Sequence, residues 1–267
     1  MRHFATASSL LRASHPVPAL AVTAITTGLA VTVGRDAGGL ALTAAAVLAG
    51  QLSVGWLNDL VDADRDARVG RRGKPVAAGA ISRRTALVAV LVSAPAAVVL
   101  SLPFGAVATI AHLIALVSAW AYDLGLKSGP FSVFPYALSF GLLPAFVMFG
   151  GGGPPPVWLV LAAALLGSAA HFVNVLPDLG DDAATGVHGL PHRLGAARST
   201  AVAACLVLAA SATLVDVSWV ILPLAAAVLG AGLVLGRRPG SRTAFHAVVL
   251  VALLDVAMLL SAGAQPT

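Results

Sequence analysis

The chain has 267 residues, of which 58% are hydrophobic and only 10% charged, with a mean hydropathy of +0.93 and a formal charge of +5. Soluble domains carry about 25% charged residues, so this chain has too little polar surface to coat a globule and must take lipid as its solvent. Its basic residues flank apolar stretches, which argues against a nucleic-acid partner, and its single cysteine, Cys205, excludes an internal disulfide.

Nine apolar stretches follow one another: 16–34, 37–57, 85–102, 106–121, 131–149, 157–176, 199–215, 217–236 and 244–262. The first follows Arg2 and Arg12 and superficially resembles a signal peptide. It is 19 residues long, beyond the usual core of about 7–15, and has no clear small-residue cleavage site. It reads as the first span, with residues 1–15 as a short cytoplasmic interfacial segment of one domain covering 1–267. The third and fourth form one uncharged run, which Leu102-Pro103-Phe104-Gly105 turns back on itself. Gly150 to Gly153 and Pro154 to Pro156 separate the fifth from the sixth. A backbone in hydrocarbon must satisfy its own hydrogen bonds, so each span is expected to be helical. Their Ala and Gly content allows close helix contact. The expected fold class is an all-α integral membrane protein, its nine transmembrane helices bundled around a central cavity opening near the cytoplasmic face.

Nine spans put the termini on opposite sides. With the N-terminus in the cytoplasm and the C-terminus outside, 15 of the 16 Lys and Arg fall on the cytoplasmic side and only Arg35 outside, as the positive-inside rule requires. The two long polar connections, 58–84 and 177–198, are then both cytoplasmic, and chemistry is expected on that face.

All eleven acidic residues are aspartates, and seven of them fall in two segments, NDLVDADRD (58–66) and NVLPDLGDD (174–182). Asn58, Asp62 and Asp66 are spaced i, i+4, i+8, a drift of only about 40° per step on a helix, so they share one face. Asn174, Asp178 and Asp182 repeat the spacing, although Pro177 and Gly180 are expected to unwind that helix locally. Carboxylates converging in one cavity repel each other and need cations. Hard oxygen ligands suit Mg²⁺, which commonly binds through a few carboxylates and the oxygens of a phosphorylated substrate. Arg68, Arg71, Arg72 and Lys74 follow the first segment and His192 and Arg193 the second; such groups are natural partners of diphosphate oxygens, and Arg68, Arg72, Lys74 and Arg193 are taken as the candidates. Tyr122 and Lys127, where the fourth and fifth spans meet, are either site residues or interfacial anchors. His112 and His171 lie within spans and are read as packing or hydrogen-bonded residues.

Asn58-Asp59-x-x-Asp62-x-x-x-Asp66 resembles the first signature of the UbiA family of intramembrane prenyltransferases, and Asp178-x-x-x-Asp182 the second. Tyr122 to Lys127 is similar to the family's intervening Tyr…Lys motif, and Leu10 to Pro16 to its lead-in to the first helix. The resemblance implies that Asn58, Asp62, Asp66, Asp178 and Asp182 bind Mg²⁺ and an isoprenyl diphosphate, with the four aspartates as the catalytic set. It implies diphosphate contacts from Lys127, Arg72 and Arg12, beside the candidates Arg68, Lys74, Asn174 and Arg193. Ser128 departs from a second basic residue that many members carry after the Lys. The implied reaction is Mg²⁺-dependent transfer of an isoprenyl group to a small lipophilic or aromatic acceptor within the membrane. Tyr122, Asp59 or Asp181 is expected to direct or take the acceptor's proton. A terpene cyclase on the same scaffold, needing no acceptor, is an alternative. A cation transporter is a distant one, since its carboxylates belong near the bilayer midplane.

Overall fold

The computed structural model describes residues 2–71, 73–236 and 242–262. These are all-α, in chain order α1 (Arg2–Ala13), α2 (Pro16–Thr32), α3 (Ala37–Val61), α4 (Ala63–Arg68), α5 (Arg83–Ser101), α6 (Ala106–Leu124), α7 (Phe134–Gly150), α8 (Val157–Val175), α9 (Leu179–Ala184), α10 (Leu190–Thr213), α11 (Ile221–Leu235) and α12 (Thr243–Ala262). Each of the nine apolar stretches has become a helix. Local chemistry sets their starts. Asp36 caps α3 by accepting from the Gly39 amide (2.7 Å), and Ser82 caps α5 by accepting from Thr85 (3.0 Å). Between α5 and α6, a 3₁₀ turn at Leu102–Phe104 ends on Gly105, whose φ of 89° is open to glycine at little cost.

Six segments are long and apolar enough to cross a membrane: Ala37–Val61, Arg83–Phe104, Ala106–Leu124, Val157–Ala184, Leu190–Thr213 and Thr243–Ser261. Ala7–Ala13 and Pro16–Thr32, bent by 67°, add a seventh if counted as one span. α7 and α11 are equally apolar but have only 17 and 15 residues, which is short against a hydrocarbon core about 30 Å thick. Large apolar side chains such as Leu91, Val92, Val99, Ile110 and Leu253 face outward, as a lipid-facing surface requires. α10 begins earlier than the apolar stretch 199–215, because Gly195 (φ 76°, ψ 168°) kinks it and leaves a short helical lead of its own.

Packing follows chain order. α3 lies against α2, α5 and α6; α6 against α7; α7 against α8; α8 against α10; α10 against α11 and α12. α12 then returns to α2 and closes the bundle. Asp255 of α12, fully buried, accepts from the Ser211 hydroxyl of α10 (2.9 Å) and pins these two helices together. An apolar cavity of about 270 Å³ lies among α2, α7, α8 and α12, walled by Val22, Leu29, Phe140, Leu166, Val248 and Leu260. Its α8 wall includes Ala170 and Val173, which lead directly to Asn174.

Residues 1–15, expected as an interfacial segment, contain α1, which turns sharply into α2 at His15 (φ 52°). Two contacts hold this elbow. Trp56 Nε1 donates to the Leu10 carbonyl (2.8 Å), and the Ser14 backbone lies so close to Gly55 that a Cβ there would collide with it.

Candidate active site

Both aspartate segments lie at the same end of the bundle, where α3, α6 and α8 finish and α10 begins. α3 stops at Val61, yet helical hydrogen bonding runs through the break: Asp62 N bonds Asn58 O (3.0 Å) and Asp66 N bonds Asp62 O (2.8 Å). The i, i+4, i+8 face of the first segment therefore survives. In the second, Leu176–Asp178 forms a 3₁₀ turn before α9 resumes. This is the unwinding expected from Pro177, which has no N–H to give.

Arg71 joins the two segments. Its guanidinium lies 3.3 Å from Asp66 and 3.1 Å from Asp182, with Asp178 at 3.7 Å and Asp181 at 3.9 Å. Burial opposes the charge on Arg71, but Asp178, Asp182 and Asp66 together outweigh it and push its pKa above the ordinary value. Burial also pushes the Asp66 carboxyl up, with Asp62 adding to the shift. Lys74 and Arg71 oppose that shift without cancelling it. The two partners thus move in the same direction, because Asp66 is wholly buried and its Oδ2 has no partner among the described residues.

Asp62 is held from three sides: by Lys127 (2.5 Å), by Arg65 (2.7 Å) and by the Asn58 amide (3.3 Å). Asn58 Nδ2 also donates to Asp123 (2.9 Å), and its Oδ1 accepts from Lys74 (3.0 Å). Lys74 further bonds His15 (2.9 Å). An ammonium only donates, so His15 Nε2 is the acceptor. Asp59 accepts from the Val76 amide (3.0 Å) and lies 3.6 Å from Lys74, so its carboxylate anchors the loop after α4.

The donors are hard oxygens suited to Mg²⁺, and the orphaned Asp66 Oδ2 is a buried ligand atom without a counterpart. Among the described residues no three carboxylate or imidazole groups close on a common point. Guanidinium and ammonium groups separate them.

The UbiA prenyltransferase family profile matches residues 17–245, a stretch that contains both aspartate segments and Lys127. The chain belongs to the UbiA prenyltransferase family. It is 31% identical over 168 residues to 4-hydroxybenzoate octaprenyltransferase of Thiobacillus denitrificans, covering 61% of this chain and 56% of that protein. It is 34% identical over 157 residues to digeranylgeranylglyceryl phosphate synthase of Natronomonas pharaonis, covering 58% and 56%. The matched part is little more than half the length of these curated relatives. A UbiA homologue from Archaeoglobus fulgidus, solved bound to GPP and Mg²⁺, superposes with a TM-score of 0.73 at 18% identity, over 96% of this chain and 100% of that one. At that identity the likeness shows the UbiA fold.

The UbiA-type residues expected from sequence divide into two groups. Asn58, Asp62, Asp66, Lys74, Lys127, Asp178, Asp181 and Asp182 meet in the network described. Among the described residues Arg68 is exposed and forms no ion pair, Arg12 bonds Ser9 (3.2 Å), and Arg193 turns back to the His188 carbonyl (2.9 Å). Asn174 reaches the Tyr136 hydroxyl (3.3 Å) rather than an aspartate, and Tyr122 lies among aromatic rings. Arg72 lies outside the described residues. Sequence reasoning named Arg71 among the cations after the first segment without placing it in the site, and missed Arg65, Asp123 and His15. Of these, Asp123 had a readable signal, as a carboxylate closing an otherwise uncharged span next to Tyr122.

Proposed function

We propose that this chain transfers an isoprenyl group from a polyprenyl diphosphate to an aromatic acceptor within the membrane, releasing diphosphate. The observation that carries the reading is the convergence of Asp66 and Asp182, from different helices, on Arg71. Carboxylates gathered this closely need cations, and the family's chemistry supplies them as Mg²⁺ and a substrate headgroup. Asp62, Asp66, Asp178 and Asp182, with Asn58, would hold Mg²⁺. When bound, it neutralises charge growing on the leaving diphosphate.

This chain's own residues do the rest. Lys127, Lys74 and Arg71 are placed to trade carboxylate partners for diphosphate oxygens. The apolar cavity beside α8 accepts the prenyl tail, and its walls keep water from the allylic cation left when the C–O bond breaks. The acceptor's ring attacks that carbon and then loses a proton. Asp59 is committed to Val76 and Lys74, which leaves Tyr122 to orient the acceptor and Asp181, whose side chain is 65% exposed, to take the proton. Nine crossings, with the N-terminus cytoplasmic and the C-terminus outside, suit this reading, because they place the site at the face rich in Lys and Arg.

The test is the double variant Asp62→Asn, Asp178→Asn in membranes supplied with Mg²⁺ and prenyl diphosphates. The expected outcome is loss of Mg²⁺-dependent diphosphate release. Unchanged release would remove the site.

A further inference from the structure

Asn58 stands one turn before the end of α3, and its amide is held at both ends. Nδ2 donates to Asp123 Oδ1 (2.9 Å) and to Asp62 Oδ2 (3.3 Å), while Oδ1 accepts from Lys74 Nζ (3.0 Å). A carboxylate oxygen accepts and an ammonium only donates. Turned over, the amide would set its oxygen against two carboxylates and its N–H groups against Lys74. Its orientation is therefore fixed, with nitrogen toward the carboxylates and oxygen toward the cation.

The two acceptors are not equal. Asp62 also takes Lys127 and Arg65, its bond to Asn58 is the longer one, and it is one of the carboxylates that would hold Mg²⁺. Once Asp62 engages an ion, Asp123 is the acceptor that remains for Nδ2. Asp123 is the last residue but one of α6, which packs against α3, and it is 3% exposed. Its Oδ1 holds the Asn58 amide, and its Oδ2 has no partner among the described residues. A buried acceptor left unsatisfied costs stability. Here that cost is borne on the helix whose end also leads to Lys127, against the one amide side chain of the first aspartate segment.

A metal ligand turns a lone pair to the ion. The oxygen of an asparagine amide has lone pairs to turn, and its nitrogen carries only donor hydrogens. We infer that Asp123 is a positioning residue: it holds the Asn58 amide so that Oδ1, and not Nδ2, is the end offered to the divalent cation. This rests on the transferase reading above, and it adds to that machinery a residue that needs to touch neither metal nor substrate. Groups behind a metal ligand fix its orientation, and their loss weakens metal binding by about 10–100-fold.

The experiment separates orientation from mere support. The full chain in detergent is titrated with Mg²⁺ at a fixed concentration of geranyl diphosphate. The reading is the Mg²⁺ concentration that gives half-maximal binding of the diphosphate, with no turnover needed. Asp123→Ala removes the acceptor and should raise that concentration about tenfold. Asp123→Asn still offers a carbonyl oxygen to Nδ2, Lys74 still opposes a flip, and the value should stay within about threefold of the unaltered chain. The deciding background is Asn58→Asp. A carboxylate shows oxygen whichever way it turns, so adding Asp123→Ala there should raise the Mg²⁺ requirement by less than about twofold.

An unchanged Mg²⁺ requirement in Asp123→Ala overturns the inference. So does an equal rise in both backgrounds, which is what a simple prop between α3 and α6 predicts. A loss in Asp123→Asn as large as in Asp123→Ala also overturns it, as does loss of Mg²⁺-dependent binding in a folded Asn58→Asp, since position 58 would then depend on its nitrogen. Should Asp123→Ala fail to fold, Asp123→Leu, of the same branched shape but without an acceptor, takes its place. Should Asn58→Asp fail to fold, the contrast between Asp123→Ala and Asp123→Asn decides. Binding of geranyl diphosphate that needs Mg²⁺ in the unaltered chain but ignores Asp123→Ala sinks the positioning role alone. Its absence in the unaltered chain sinks the transferase reading with it.

Discussion

Replacing Arg71 with alanine removes the cation that stands between two negative helix ends. Its side chain is 18% exposed, and its guanidinium lies 3.3 Å from the fully buried Asp66 and 3.1 Å from Asp182. Two unit charges about 4 Å apart interact by about 4 kcal/mol at an effective dielectric of about 20. Breaking a buried pair by removing one partner costs roughly 3–5 kcal/mol, and partial exposure brings the expectation for Arg71→Ala to about 2–3 kcal/mol. Without Mg²⁺, the midpoint of thermal unfolding in detergent should then fall by roughly 4–12 °C. Millimolar Mg²⁺ with a prenyl diphosphate should recover at least half of that loss, because the ligand supplies the missing positive charge. Asp182→Asn in the same background should soften the defect, since the repelled partner is gone. A deficit equal with and without Mg²⁺, together with strictly additive effects of the two substitutions, would refute the electrostatic account and make Arg71 a packing residue.

Gly189→Ala places a Cβ against the Lys127 carbonyl; displacing Lys127 from Asp62 should raise the KM for prenyl diphosphate several-fold, read by steady-state kinetics. Gly55→Ala drives a methyl into the Ser14 backbone and should cost about 1–3 kcal/mol, seen as a lower melting midpoint or loss of folded yield. Asp255→Leu, far along α12 from the aspartate network, should leave turnover intact and cost little stability, since apolar packing often replaces a buried polar pair without loss; this is checked by activity and melting side by side. Chelation with EDTA should abolish diphosphate release reversibly, and Mg²⁺ should restore it.

The helices were legible because hydrocarbon leaves the backbone one cheap way to satisfy itself, and each apolar stretch shows it. The start of α10 was not, since Gly195 kinks the chain where hydropathy reads only a boundary. The aspartate spacing was legible because a helix fixes which side chains share a face, and the bonds through Asp62 preserve that rule beyond the end of α3. The loop 69–82 obeys no such period. Arg68, Arg71 and Lys74 look alike in sequence, and only the course of the turn selects Arg71 and Lys74 among them. Asp59, read as a proton-transfer candidate, faces the Val76 amide instead, a partner 17 residues away that no local pattern announces.

The elbow at His15 has a consequence for how the chain is made. Its fastenings come from Gly55 and Trp56, and the Trp56 indole bonds a carbonyl 46 residues earlier in the chain. At translation rates of about 5–20 residues per second, the first hydrophobic hairpin waits roughly 2–9 seconds for its clasp to be synthesised. During biogenesis the α1–α2 elbow is therefore a late-docking piece, although it is synthesised before the residues that clasp it.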